Sequence, residues 1–238
     1  MTLPPLDGPP AGMSRREWRE QQDPSVRAAV PENDVNPTAP ASERLTILTV
    51  CTGNICRSPL AEVLLRQRLE PLGVRVHSAG THALEGHGMP EEALELVTQG
   101  GADSAIALAH RARYLVEPYV ADADLVLTMA REHRSAVVKM MPAALRRTFT
   151  LREFARLAST LSTEEARDAA QTDEGSRRDR FAAVLRAVGD QRGITPAPPE
   201  DDDVVDPYRR SRETYALSGA QLTPALSEVE RIVRTAIR

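Results

Sequence analysis

Apolar residues along this chain alternate between short continuous runs and repeats at helical spacing. A β-branched run at residues 45–50 predicts a buried strand, and similar runs predict three more strands, at residues 74–78, 124–129 and 148–151. Leucines that recur every three or four residues after Pro59 indicate an amphipathic helix. Strands that alternate with helices predict an α/β fold, here a small doubly wound parallel four-stranded sheet with helices on both faces. In such a sheet, binding sites lie at the carboxyl ends of the strands.

The pattern divides the chain into a tail, a domain and an insertion. Residues 1–43 hold eight of the 18 prolines and few apolar side chains, which predicts a disordered proline-rich tail. Residues 44–238 are predicted to form a single domain. Within it, residues 157–203 combine helical stretches with an acidic, proline-rich end and are predicted to be a flexible insertion. The final segment, 211–238, is predicted to be helical, with Pro224 either kinking that helix or beginning a new one.

Composition and charge narrow the class of protein. The chain is 41% hydrophobic but only 3% aromatic, so a folded core must be built from aliphatic side chains. The formal net charge of −4, without a basic stripe, argues against a nucleic-acid partner. Apolar runs are too short for a membrane span, and the first ten residues lack the features of a signal peptide. We therefore expect a cytoplasmic monomer or weak dimer with neither nucleic-acid nor membrane partners.

The cysteines and histidines do not indicate a metal site or a disulfide scaffold. Cys51 and Cys56 are too few for a disulfide framework or a four-thiolate zinc site, and are interpreted as reactive or buried thiols. His77, His82 and His87 recur every five residues, a spacing that fits neither one helix face nor one strand face. We expect no metal and no cofactor.

The residues that follow the first strand carry the clearest chemical signal. Cys51 and Arg57 bracket five residues, enough for the chain to wrap round one anion with its backbone N–H groups pointing inward. Gly53 and Asn54 tolerate the unusual backbone angles that such a loop needs. The helix that follows presents its positive N-terminal end to the same centre, and the arginine can hold two phosphate oxygens bidentately. This field favours the thiolate form of Cys51, to which the Ser58 hydroxyl can add a hydrogen bond.

The sequence around this loop is similar to that of a known enzyme family. Val50-Cys-Thr-Gly-Asn-Ile-Cys-Arg-Ser-Pro-Leu-Ala-Glu62 closely resembles the phosphate-binding loop of the low-molecular-weight protein tyrosine phosphatases. The resemblance continues at Ser78-Ala-Gly-Thr81, at residues 124–129 and at Asp206-Pro207-Tyr208. It spans residues 45–155 and 204–236, and leaves the tail and the 157–203 insertion outside.

The resemblance implies a phosphomonoester hydrolase and a role for each site residue. Cys51 attacks phosphorus to form a phosphocysteine, Arg57 binds the equatorial oxygens, and Asp206 protonates the leaving oxygen and then activates water. Chemistry requires such an acid, because an alkoxide or phenoxide is a poor leaving group. The aspartates at residues 201–203 are competing candidates for this role. The implied substrate-binding residues are Thr52, Gly53, Asn54, Ile55, Cys56 and Ser58 in the loop, with Tyr208 as an aromatic wall.

Several positions bear on the substrate. Ile55 resembles the residue of tyrosine phosphatases rather than the threonine of the relatives that cleave arginine phosphate, which favours protein phosphotyrosine. Family members often place an aromatic residue opposite the tyrosine wall, where this chain has Leu84 and His87. We therefore expect a substrate ring to stack on one side only. The insertion at 157–203 is a candidate lid over the acid.

Two other functions fit part of this pattern. Thioredoxin-coupled arsenate reductases share the fold and the loop, but their chemistry needs further cysteines in relay, and the chain has none beyond Cys56. A phosphate-binding interaction module without turnover is the second alternative, and the joint presence of Cys51, Arg57 and an acid argues against it. Two further hypotheses are local. Oxidation could join Cys51 and Cys56 in a protective disulfide. Residues 131–134 are interpreted as a solvated helix start beside the pocket.

Overall fold

A four-stranded, fully parallel sheet forms the centre of the computed structural model, which describes residues 44–171 and 175–237. Its strands are β1 (Leu45–Cys51), β2 (Val74–Gly80), β3 (Leu125–Thr128) and β4 (Thr148–Thr150). Their order across the sheet is β2-β1-β3-β4, with Ile47 level with Val76 on one side and with Leu125 on the other. The predicted disordered tail, 1–43, lies outside the described residues.

Helices connect and follow these strands. They are α1 (Arg57–Leu69), α2 (Glu91–Gln99), α3 (Ser104–Ala109), α4 (Glu117–Asp122), α5 (Arg131–Met140), α6 (Leu151–Ala158), α7 (Thr163–Gln171), α8 (Arg177–Asp190) and α9 (Arg212–Ala236). Short 3₁₀ turns occur at Glu70–Leu72, Pro142–Arg147, Gln191–Gly193 and Pro199–Asp202. None of the helices among these described residues is long and apolar enough to cross a membrane.

Both faces of the sheet are covered by helices. Successive side chains of a strand point to opposite faces. Accordingly, Leu45 and Ile47 pack in a large cluster with α1, α6, α8 and α9, whereas Leu48 and Val50 pack in a smaller one with α4 and α5. This double coverage explains why the strands are apolar without alternation. The predicted doubly wound α/β sheet is confirmed, and β1 and β3 flank its topological switch point, where Cys51 ends β1.

The segment 157–203 contains helices, in agreement with the helical stretches predicted in it. It contains α7 and α8, and Phe181, Val184 and Val188 of α8 are buried in the larger core cluster. Ser176 begins α8 with a capping box, in which its hydroxyl and the Asp179 side chain each accept a hydrogen bond from the other residue's backbone N–H. The three- and four-residue spacing of these apolar side chains therefore outweighs the polar character of the flanking sequence.

The C-terminal helix α9 runs without interruption from Arg212 to Ala236, with Pro224 inside it. Of the two expectations for this proline, a kinked helix or a new helix start, the structure excludes a new start. A row of buried side chains from Tyr215 to Val233 packs α9 against the core, and this packing offsets the lost backbone hydrogen bond.

Candidate active site

The loop between β1 and α1 encloses the candidate site. Cys51 is the last residue of β1 and Arg57 the first of α1, so the loop joins a strand end to a helix N-terminus. Asn54 lies at φ +54°, in the left-handed region that asparagine tolerates better than most residues. Gly80, at the end of β2, packs against the loop so closely that a Cβ there would lie 2.5 Å from the Thr52 carbonyl oxygen.

Two hydrogen-bond donors surround the sulfur of Cys51. The Ser58 hydroxyl lies 3.0 Å from Sγ, and the Asn54 backbone N–H donates to Sγ across 3.3 Å. The expected hydrogen bond between Ser58 and the sulfur is therefore present. Both groups, together with the N-terminal end of α1, stabilise negative charge on the sulfur.

The side chain of Asn54 ties the loop to the rest of the domain. Its Nδ2 donates to Ser58 Oγ at 3.0 Å and to Ser78 Oγ at 2.8 Å. Its Oδ1 accepts from the Arg113 backbone N–H at 2.9 Å. The His110 Nε2 donates to the Asn54 backbone oxygen at 2.7 Å, and burial lowers the pKa of this histidine. Asn54 is thus held on every side, which fixes the shape of the loop before any ligand binds.

A buried carboxylate, Glu62 on α1, supports this network. Ser78 donates to Glu62 Oε2 across 2.5 Å, so the chain of hydrogen bonds runs from Glu62 through Ser78 and Asn54 to Ser58. The guanidinium of Arg113 lies 3.6 Å from Glu62 Oε1 and compensates its charge.

The guanidinium of Arg57 is held by the segment that carries the candidate acid. Its Nη1 donates to the Val204 carbonyl at 3.1 Å, and its Nη2 lies 2.8 Å from Asp206 Oδ2. The side chain of Arg57 is 4% exposed, whereas that of Asp206 is 51% exposed. The arginine therefore has a fixed anchor at Val204 and an exchangeable partner at the pocket mouth.

The four candidate aspartates have different surroundings. Asp202 pairs with Arg156 at 2.9 Å, Asp203 pairs with Arg131 at 3.1 Å, and Asp201 is exposed. Asp206 lines the pocket together with Cys51, and among the described residues it is the only one of the four to do so. The ion pairs of Asp202 and Asp203 hold in place the backbone that leads to Asp206.

The pocket itself measures about 190 Å³ and opens between the loop and the acid segment. Tyr208, 37% exposed, forms one wall, and Leu84 and His82 lie among the other lining residues. His87, expected beside Leu84, does not belong to the lining within the described part of the chain. The segment 157–203 contributes no lining residue over its described positions, and its interpretation as a lid stays a prediction.

Comparison with known proteins identifies the family. A family model described as low molecular weight phosphotyrosine protein phosphatase matches residues 46–193. The chain belongs to this family. A probable low molecular weight protein-tyrosine-phosphatase, EpsP of Ralstonia nicotianae, is 43% identical over 108 residues, which are 45% of this chain and 71% of the relative. A protein-arginine-phosphatase of Geobacillus stearothermophilus is 40% identical over 108 residues, covering 45% and 70%.

Solved structures of this phosphatase family share the fold. The YwlE arginine phosphatase from Geobacillus stearothermophilus matches with a TM-score of 0.55 and 27% identity, covering 80% of this chain and 94% of that one. A low molecular weight protein tyrosine phosphatase from T. tengcongensis matches with a TM-score of 0.53 and 29% identity, covering 78% and 97%. The predicted family, and the prediction of a cysteine-dependent protein phosphatase, are confirmed.

The match corrects the predicted extent of the phosphatase sequence. The resemblance was expected to skip residues 157–203, but the family model includes the chain as far as residue 193. Helices α7 and α8, which lie in this range, pack into the same core as the sheet. Their burial explains why this part belongs with the phosphatase domain.

The second thiol of the phosphatase loop differs from the first in its surroundings. Cys56 Sγ lies 3.6 Å from the Tyr215 hydroxyl, and both cysteines are free. Burial raises the pKa of Cys56 to about 12, which keeps it a neutral thiol. The disulfide hypothesis for Cys51 and Cys56 stays a prediction.

Several site residues of this phosphatase were missed in the sequence. His133, interpreted as part of a solvated helix start, is 1% exposed, and its Nε2 lies 2.8 Å from the Thr52 hydroxyl oxygen. Glu62, His110 and Arg113 were not singled out at all. Glu62 ends the quoted loop motif, but no local motif marks the other three positions, because each acts through a residue distant in sequence; Thr52 and His133 are 81 positions apart.

Proposed function

We propose that this phosphatase hydrolyses protein phosphotyrosine through a phosphocysteine on Cys51. The observation that carries the proposal is that Cys51, Arg57 and Asp206 line one pocket. A nucleophile, a cation for the phosphate and a carboxyl group for the leaving oxygen are the three groups that hydrolysis through a covalent intermediate requires.

The first step begins when the phosphate of the substrate takes the place of Asp206 on Arg57. Nη2 of Arg57 turns from the carboxylate to a phosphate oxygen, while Nη1 keeps its bond to Val204. The Cys51 thiolate then attacks phosphorus, and the bond from phosphorus to the tyrosine oxygen breaks. Asp206, as the general acid, gives its proton to that oxygen.

The second step returns the enzyme to its starting state. The ionised Asp206 takes a proton from a water molecule, whose oxygen attacks phosphorus. The phosphorus–sulfur bond breaks, and inorganic phosphate leaves. Ser58 and the Asn54 N–H, which already contact Sγ, stabilise the departing thiolate.

The walls of the pocket favour an aromatic leaving group. Ile55, Leu84 and Tyr208 present apolar surface along the path from Cys51 to solvent. A phenyl ring buries apolar area against such walls, whereas a guanidinium needs acceptors for its N–H groups. Because named relatives include both tyrosine and arginine phosphatases, phosphoarginine is the competing substrate.

Hydrolysis of para-nitrophenyl phosphate tests the reaction. We expect turnover by the wild type and none by Cys51→Ser, with a phosphocysteine trapped by rapid acid quench in the wild type. Absence of turnover would favour the non-catalytic module. Arsenate reduction coupled to thioredoxin, together with no phosphatase turnover, would favour the reductase.

The choice of substrate is tested with phosphotyrosine and phosphoarginine peptides of the same sequence. We expect kcat/KM to be higher for phosphotyrosine, and Tyr208→Ala to reduce this preference, since an aromatic contact contributes about 0.5–1.5 kcal/mol beyond burial. Tyr114→Ala is the matched control, because Tyr114 is also exposed but does not line the pocket within the described chain. Preference of the wild type for phosphoarginine would overturn the substrate assignment.

A further inference from the structure

The pair formed by His133 and Thr52 has no part in the mechanism above, although Thr52 lines the pocket beside Cys51. His133 lies in the first turn of α5, and Nε2 of its ring is 2.8 Å from Thr52 Oγ1. Each atom can be donor or acceptor, and the choice decides where the hydroxyl hydrogen of Thr52 points.

The surroundings of the ring determine which nitrogen carries the hydrogen. A carboxylate oxygen of Glu132 lies 3.4 Å from Nε2, on the same side as Thr52. A hydrogen on Nε2 faces two oxygens, whereas a lone pair there would face a negative charge. Within the described part of the chain, Nδ1 has no hydrogen-bond partner. Orphaned buried N–H donors are rarer than unpaired acceptors, so a bare Nδ1 is the less costly arrangement.

We propose that His133 donates from Nε2 to Thr52 and thereby directs the Thr52 hydroxyl hydrogen toward the bound phosphate. With Nε2 as donor, Oγ1 is the acceptor, and its own hydrogen has no other acceptor among the described residues. Thr52 lines the pocket that also contains Cys51 and Arg57, so a phosphate bound there is the acceptor that we assign to this hydrogen. Thr52 is then a phosphate-binding side chain, and His133 is the positioning residue behind it.

The ring holds this arrangement throughout the neutral range. Burial, reinforced by the positive charge of Arg57, lowers the pKa of His133 to about 4. The ring is therefore neutral under assay conditions, and its single N–H hydrogen lies either on Nδ1 or on Nε2. The inference rests on the proposed function, since it assumes that phosphate binds in this pocket.

Nitrogen-15 NMR of the histidine rings in the ligand-free protein tests the assignment directly. Protonated and bare ring nitrogens differ widely in chemical shift, and the His133 signals are identified by their loss in His133→Gln. We expect Nε2 to carry the hydrogen in the wild type at pH 7. A hydrogen on Nδ1 overturns the proposal, and this readout does not depend on activity.

Inhibition by inorganic phosphate tests the consequence. Thr52→Val keeps the shape of the side chain but removes the donor, and we expect the inhibition constant for phosphate to rise roughly tenfold, as for a hydrogen bond to a charged group. KM for para-nitrophenyl phosphate should rise with it while kcat changes less, because the contact is made to bound substrate and transition state alike. Thr52→Ser should retain wild-type inhibition.

Variants of the histidine separate positioning from a structural role. His133→Gln preserves an N–H near Nε2 and should retain phosphate inhibition, whereas His133→Ala should weaken it. The double variant His133→Ala/Thr52→Val should bind phosphate no more weakly than Thr52→Val alone, because both substitutions remove the same hydrogen bond to phosphate. Additive effects, or an unchanged inhibition constant in Thr52→Val while the wild type is active, overturn the inference. Lack of wild-type turnover instead overturns the proposed function.

Discussion

Nη2 of Arg57 lies 2.8 Å from Oδ2 of Asp206, inside the pocket that the proposed mechanism assigns to phosphate. In the proposed mechanism, a phosphate oxygen replaces Asp206 Oδ2 as the partner of Arg57 Nη2. Phosphate binding therefore separates the Asp206 carboxyl group from Arg57. The ion pair thus couples phosphate binding to the release of the candidate acid.

Asp206→Asn should have opposite effects on catalysis and on binding. For a phosphate ester with a poor leaving group, we expect kcat to fall by roughly 10²–10⁴, because general acid catalysis is lost. Inorganic phosphate should inhibit more strongly, by about two- to fivefold, because the competing half-exposed ion pair is weak but real. Steady-state kinetics with phosphate as inhibitor measures both effects.

Asp201→Asn is the control for this comparison. Asp201 is exposed, lies five positions away and does not line the pocket within the described residues. Its substitution should change neither kcat nor phosphate inhibition. Equal losses in the two variants would show that Asp206 has no special role.

Arg57→Lys should disable the enzyme even though the positive charge is kept. A lysine ammonium is a single point of charge and cannot bind Val204 and two phosphate oxygens at once. We expect kcat/KM for para-nitrophenyl phosphate to fall at least about 10²-fold, the usual cost of losing one transition-state donor. In Arg152→Lys, the matched control, a lysine can still donate to the Asp203 carbonyl that Arg152 Nη1 contacts at 2.9 Å. Near-wild-type activity of Arg57→Lys would contradict the proposed role of Arg57 in binding phosphate.

The two thiols should react differently with iodoacetamide. At pH 7 the buried Cys56, with its pKa raised to about 12, is neutral and unreactive. Both thiols line the pocket, but Ser58 and the Asn54 N–H stabilise negative charge only on Cys51. We therefore expect mass spectrometry of the native protein to find Cys51 alkylated first and protected by added phosphate. Labelling of Cys56 in folded protein would mean that its surroundings are more open than its contact with Tyr215 indicates.

His77→Phe should stabilise the protein, and more so in acid. Burial, together with Arg75 and Arg113, lowers the pKa of His77 to about 3, and within the described chain neither ring nitrogen has a hydrogen-bond partner. The unfolded chain takes up a proton below about pH 6.5, whereas the folded one does not, so wild-type stability falls as the pH falls through this range.

Urea unfolding at pH 7 and pH 5 measures this effect. Phenylalanine can keep the edge-to-face contact that His77 makes with Tyr119 at a centroid distance of 5.3 Å. The advantage of the variant in free energy of unfolding should increase by about 2 kcal/mol between pH 7 and pH 5. An advantage that does not change with pH would show that folding leaves the pKa of His77 unchanged.

The strands and the phosphate loop were predictable from the sequence because their signals are local. A strand that helices cover on both faces must be apolar at every position, and the run before Cys51 shows this pattern directly. The spacing from Cys51 to Arg57 likewise defines a loop of fixed length. The helical stretches of the segment 157–203 were predictable for the same reason, whereas the burial of α8 in the core was not, because it depends on packing against distant helices.

What the sequence by itself determined is the chemistry of the loop from Cys51 to Ser58. The tertiary structure alone decided which aspartate enters the pocket and how His133 meets Thr52. The carbonyl that anchors Arg57 belongs to Val204, 147 positions away. Contacts between such distant residues depend on how the sheet and helices pack, and they leave no periodic pattern in the chain. The nucleophile and the loop residues around it are therefore visible in the sequence, whereas the long-range contacts that hold them are visible only in the fold.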